Sequence, residues 1–130
     1  MTTRRNFNTG AKWEPIVGYS RAVRIADTIE VSGTCAVDPD GNPFAIGDPY
    51  LQATRCLEII RTAIEHLGGK LEDVIRTRIY VTNIDQWTEI GKAHGEVFGD
   101  IRPVTTMIEV SSLISVDYLV EIEATAIVSH

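Results

Sequence analysis

The sequence predicts an α+β fold, a mixed β-sheet with two helices packed on one of its faces. Two stretches with helical spacing of apolar residues lie inside the chain, at about 49–67 and 86–98. Extended, alternating runs flank and separate them, and the runs at the two ends of the chain are hairpin-like neighbours rather than partners in strict β-α alternation. No glycine-rich phosphate loop follows any extended run, so a doubly wound nucleotide-binding sheet is not indicated.

The first fifteen or so residues read as irregular and polar, with an extra N-terminal strand as the one optional addition. Trp13, Glu14 and Pro15 precede Ile16-Val17-Gly18, which leads into an extended run from Tyr19 to Ile25. Ala26-Asp27 is a two-residue turn, and Thr28 to Thr34 return as the second arm of a hairpin. Ile29 and Val31 fall on one side of that arm, and Thr28, Glu30 and Ser32 on the other. Asp38-Pro39-Asp40-Gly41-Asn42-Pro43 is a loop in which every residue favours turn geometry.

A helix is predicted from Pro49 to Leu67. Asp48 is placed to cap it, and Pro49 suits the first helical position, where a missing N–H costs nothing. Cys56, Leu57, Ile60, Ala63, Ile64 and Leu67 form its apolar stripe, and Gly68-Gly69 ends it. A strand follows from Ile75 to Thr82, with Ile75, Ile79 and Val81 pointing one way and Arg76, Arg78, Tyr80 and Thr82 the other. The second helix, about Gln86 to Phe98, carries Trp87, Ile90, His94 and Val97 along one side. Arg102-Pro103 opens a strand through Val110, and a last strand runs from Tyr118 to Val128.

The 130 residues are expected to form a single domain, 1–130, able to bury a core without disulfide or metal. Twelve Lys plus Arg against eighteen Asp plus Glu leave a net charge of −6. That balance argues against a nucleic-acid or anionic-membrane partner. No apolar run approaches the ~20 residues of a spanning helix. The stretch from Met1 to Asn6 is charged and no apolar h-region follows, so no secretory signal is expected and a cytoplasmic location is the default. Cys35 and Cys56 read as reduced thiols, and His66, His94 and His130 are too dispersed for a metal site.

Two helices on one side leave the other sheet face open. By parity that face would carry Tyr19, Arg21 and Val23 or their alternates, then Arg76, Arg78 and Tyr80, then Thr105, Met107 and Glu109, and finally Leu119, Glu121, Glu123 and Thr125. Aromatics, hydroxyls and opposed charges on one face fit either a solvated surface with cross-strand ion pairs or a subunit interface enclosing a polar pocket.

Together these segments resemble the Rid family, also called YjgF. The resemblance rests on Gly18-Tyr19-Ser20-Arg21-Ala22-Val23, Val31-Ser32-Gly33-Thr34, Gln52-Ala53, Gly68 and Gly69, Val74, Arg78-Ile79-Tyr80-Val81-Thr82, Pro103, Glu109-Val110 and Val120-Glu121-Ile122-Glu123-Ala124. It runs from about residue 16 to 128, and the order and spacing carry it rather than one motif. It implies a chorismate-mutase-like α+β protomer and a homotrimer with a small-molecule cleft at each subunit interface. It also implies hydrolysis of reactive enamines and imines, the 2-aminoacrylate-type products of pyridoxal-phosphate enzymes, to 2-keto acids and ammonia. No metal or organic cofactor is implied.

Carried over residue by residue, the resemblance makes Glu121 the catalytic group that positions water, with Tyr19, Ser32, Gly33, Thr105, Thr106 and Met107 as substrate-binding positions. The chain departs from the deaminating pattern at Thr105, where an arginine would clamp the substrate carboxylate, at Met107, where cysteine is common, and at Gly91, where asparagine is frequent. Threonine cannot form the bidentate pair that guanidinium makes with carboxylate. Arg102 lies on the opposite parity of its strand, and Arg76 and Arg78 read as ion-pair partners of Glu121 or Glu123. The expectation is a deaminase of 2-iminoalkanoate type or of a related small imine. A non-catalytic, metabolite-binding trimer is the alternative that Thr105 keeps open. A ribonuclease role, a label this family also carries, is disfavoured by charge.

Overall fold

Strands β1 (Arg5–Phe7), β2 (Ala22–Ile25), β3 (Thr28–Cys35), β4 (Val74–Val81), β5 (Val104–Glu109) and β6 (Val120–Ile127) form one sheet in the order β1-β2-β3-β6-β4-β5. Helices α1 (Pro49–His66) and α2 (Trp87–Phe98) pack on one face of it. Only β4 and β5 run parallel, joined by the crossover through α2, and every other pair is antiparallel. The computed structural model describes residues 3–130, so Met1 and Thr2, the start of the charged N-terminal stretch, lie outside it.

The helical periodicity of α1 becomes its buried stripe. Cys56, Leu57, Ile60, Ala63 and Ile64 sit against Ile29, Val31, Ile122 and Ala124 of the sheet. A fully buried isoleucine such as Ile60 contributes about 1.5–3 kcal/mol. Asp48 caps the helix, its Oδ1 accepting from the Leu51 amide at 2.9 Å. At the other end Gly68 turns the chain with φ +88°, and the Leu67 carbonyl accepts from Arg5 at 3.0 Å and Arg24 at 2.8 Å. Two cations at the negative end of the helix dipole tie α1 to β1 and β2.

One optional expectation is met and three are corrected. The optional N-terminal strand is real, because β1 pairs with β2 and its Phe7 packs on His66. The first hairpin arm starts at Ala22 and not Tyr19. Ahead of it Glu14–Gly18 closes one i→i+5 turn, in which the Tyr19 amide donates to the Glu14 carbonyl at 2.9 Å. Ile75 is 47% exposed because the β4–β6 register shifts between Val74 and Arg76, so that Val74, Thr77, Ile79 and Val81 face the core instead. Trp87 is 59% exposed, while Ile90, Ala93 and Phe98 make the buried side of α2. Side chains tilt toward a helix's N-terminus, so a residue at the first position leans out past the helix start, away from the surface that the later turns cover.

The open face is also altered in β5. The parallel register sets Arg76 beside Val104, Arg78 beside Thr106 and Tyr80 beside Ile108. Val104, Thr106 and Ile108 therefore join the open face, and Thr105, Met107 and Glu109 point to the helix side. β5 is an edge strand exposed over most of its length, so no buried set of side chains marked its parity.

Candidate functional site

A β-bulge builds the centre of the site. Val31 pairs with Ala124 and Thr34 with Ile122, so β3 spends one more residue than β6 between those points. Ser32 and Gly33 occupy the extra length. The bulge returns Cys35 to the open face directly opposite Glu121. The Cys35 thiol donates to Glu121 Oε1 at 3.1 Å, and a side chain at Gly33 would collide with Glu121 Oε2. One carboxylate oxygen is thus hydrogen-bonded and the other rests on bare backbone.

The bulge is braced from behind. Arg21, 7% exposed, donates through Nη1 to the Gly33 carbonyl at 2.6 Å and to Thr34 Oγ1 at 3.1 Å. Its Nη2 reaches the Tyr19 hydroxyl at 3.4 Å. Glu14, 4% exposed, balances its charge at 3.8 Å and is in turn held by the Thr9 hydroxyl at 2.7 Å. Ser32 Oγ donates to the Ser20 carbonyl at 2.6 Å, so its hydroxyl is already committed to the protein.

Beside the bulge opens a pocket of about 490 Å³, lined by Tyr19, Ser20, Ser32, Arg78 and Glu123 among others. Glu123 accepts from the Tyr80 hydroxyl at 2.8 Å and pairs with Arg78 at 3.6 Å. The Glu123 bond pushes the Tyr80 phenol up, so it stays a neutral donor. Arg78 is therefore a partner of Glu123, not of Glu121, and Arg76 makes no ion pair among the described residues. Burial, then the charge and hydrogen bond of Glu121, push the Cys35 thiol up, which keeps its proton in place.

The remaining site residues lie elsewhere. Thr105 Oγ1 is 2.8 Å from Thr77 Oγ1, which is 2.9 Å from His94 Nε2, a polar chain running under α2. Burial pushes His94 below its ordinary value, favouring neutral imidazole. His94, Phe98, Arg102 and Thr105 line a second pocket of about 300 Å³ together with Gly95 and Gly99. Arg102 was expected on the opposite side from Thr105, but its φ of +54° breaks the alternation and the two line one pocket. The structure thus brings Gly33 onto Glu121 at the bulge, while Tyr19 and Ser32 line the pocket beside it, which Glu121 itself does not line, and Thr106 lies farther along the same face. It separates from them Thr105 and Met107, on the other face of the sheet.

Three residues of the site were not anticipated: Cys35, Arg21 in its bracing role, and Glu14. Arg21 belongs to the segment Gly18–Val23 that drew notice, but simple alternation sent it to the surface. Among the described residues no group of three or more His, Cys, Asp or Glu is placed to hold a metal ion, and no helix is long and apolar enough to cross a membrane.

Comparison with known proteins agrees with the fold. The profile of a family described as Endoribonuclease L-PSP matches residues 9–128. An uncharacterized protein of Streptomyces coelicolor is 36% identical over 122 residues, 94% of this chain and 90% of that protein. A RutC family protein of Pyrococcus abyssi is 32% identical over 113 residues, 87% of this chain and 88% of that protein. The crystal structure of a YjgF/YER057c/UK114 family member from Mycobacterium tuberculosis is 44% identical, with a TM-score of 0.89 over 97% of this chain and 100% of that one.

Proposed function

Because this chain belongs to the Endoribonuclease L-PSP family, the group of YjgF, RutC and Rid proteins, we propose that it is a Rid-type hydrolase. It deaminates a small, reactive enamine or imine to a carbonyl compound and ammonia. The observation that carries this reading is the Glu121 carboxylate, held from β3 by Cys35 and packed on Gly33 near a pocket sized for a small metabolite.

The chemistry asks little of the protein. An iminium carbon is already electrophilic. Water adds its oxygen to that carbon while Glu121 takes the water's proton, giving a carbinolamine. The same proton passes to nitrogen; as the C–N bond breaks, Glu121 takes the hydroxyl proton, the carbonyl forms, and the ammonia leaves with that proton as ammonium. Positioning and one general base suffice.

In one chain, Glu121 faces one side of the sheet and Thr105 and Met107 the other. A site using all of them therefore calls for a second copy that brings its β5 edge to the open face, and the proposal includes a homotrimer that supplies one. Exposed Ile16, Val17, Val104, Ile108 and Val116 support association. The test is a coupled assay that generates 2-aminoacrylate and a panel of other imines, comparing the native protein with Glu121→Gln. Turnover that the substitution abolishes supports the proposal, and background rates for both across the panel end it.

One observation favours a second reading, a trimer that binds a metabolite without turnover: Thr105 offers no charge to a substrate carboxylate. Thermal-shift measurements with keto acids and amino acids separate the two. A bound but unconverted ligand stabilises the fold by about 2.7 kcal/mol at a hundredfold excess over Kd. The family description names a ribonuclease, against which stand the net charge of −6 and the dispersed histidines. Nuclease activity lost in Glu121→Gln would reverse that judgement.

A further inference from the structure

We propose that Cys35 is the positioning residue for Glu121: its S–H pins Oε1, so that Oε2 is the oxygen left to receive the proton from water. This role rests on the hydrolase reading, while the pinning itself does not.

The geometry is that of a built contact. Cys35 and Glu121 are direct cross-strand partners on the open face, with Sγ 3.1 Å from Oε1. The direction of the bond follows from chemistry, since a carboxylate accepts and a protonated thiol donates. Among the described residues Cys35 is the one side chain that hydrogen-bonds to Glu121. The arginines that could have done so are engaged elsewhere, Arg78 with Glu123 and Arg21 with the Gly33 carbonyl.

Among the described residues Oε2 has no such partner. It rests against Gly33, which has no side chain to donate or to exclude water. The two oxygens are therefore inequivalent. The titratable and charged groups around the pair are Cys56 from α1, Arg21 from the segment ahead of β2, Tyr80 from β4 and Tyr118 from the segment ahead of β6. Cys56 turns away, its thiol directed to the Val120 carbonyl at 3.9 Å. A thiol is a weak donor, and this one orients a base without carrying a charge that would quench it.

The test has two arms. Infrared spectroscopy of the native protein reads the Cys35 S–H stretch, assigned by its loss in Cys35→Ala. The band is expected at lower frequency than that of Cys56 and should move up in Glu121→Gln. A band that does not move overturns the pinning, whether or not any imine is turned over. In the kinetic arm, Cys35→Ala should lower kcat about tenfold, the scale of one hydrogen bond to a charged group. KM should stay. Cys35→Ser, which keeps a donor, should recover kcat. Should Cys35→Ala not fold, Cys35→Val, of similar size and without a donor, takes its place. An unaltered kcat in the donorless variant, or a loss that Cys35→Ser does not rescue, overturns the positioning role. Absence of turnover in the native protein removes the hydrolase reading instead, and the infrared arm still decides the pinning.

Discussion

Gly33 and Glu121 lie in steric exclusion: the carboxylate oxygen Oε2 stands closer to Gly33 than a Cβ there would tolerate. The requirement for glycine here is steric and not conformational, since Gly33 is not among the residues with positive φ. Gly33→Ala must push the carboxylate aside or deform the bulge. A cost of about 1 kcal/mol, at the low end of overpacking, is expected, because Oε2 is the far end of a flexible side chain. Urea denaturation measures that loss, and the imine assay should fall with it. An alanine variant with native stability and rate would mean that Glu121 does not sit against the bulge.

Arg21 is a buried cation whose removal leaves Glu14 buried and unpaired. Arg21→Met is expected to cost about 3–5 kcal/mol, the range for breaking one side of a buried pair. The double variant Glu14→Gln with Arg21→Met should recover part of that loss, because it removes the stranded charge. Equilibrium unfolding of both variants checks the coupling, and strict additivity would show that the two side chains do not interact.

His94 makes stability depend on pH. Burial holds its folded value below the ordinary 6.5, so the unfolded chain takes up a proton first as pH falls. Its contribution is complete above the unfolded value and is lost as pH drops through it toward the folded one. The difference in Tm between the native protein and His94→Gln should therefore shrink on going from about pH 7 to 5. A difference independent of pH would show that His94 titrates alike in both states. Because Thr77 links His94 to Thr105, the same acid range should also disturb the pocket at the end of α2.

Local pattern was a sound guide wherever one face of an element is buried. The α1 stripe, its Asp48 cap, the Ala26-Asp27 turn and the alternation of Ile29 and Val31 all appear in the structure as read. Pattern failed where burial is not periodic. β5 is exposed over most of its length, so its parity came only from the register against β4, which turned Thr105 and Met107 away from Glu121. Bulges failed in the same way, since one inserted residue reverses every side chain after it, at Ile75 as at Cys35.

What the sequence by itself determined was the α+β class, the two helices and the family, because these depend on short-range periodicity and on motifs in order. It also singled out Glu121, Tyr19, Ser32 and Gly33. The tertiary structure alone decided which of the named residues meet. Cys35 and Glu121 are 86 residues apart, and only strand pairing around a bulge brings a thiol proton to a carboxylate oxygen. Spacing along a chain cannot encode that contact, because it is fixed by register between strands and not by period within one.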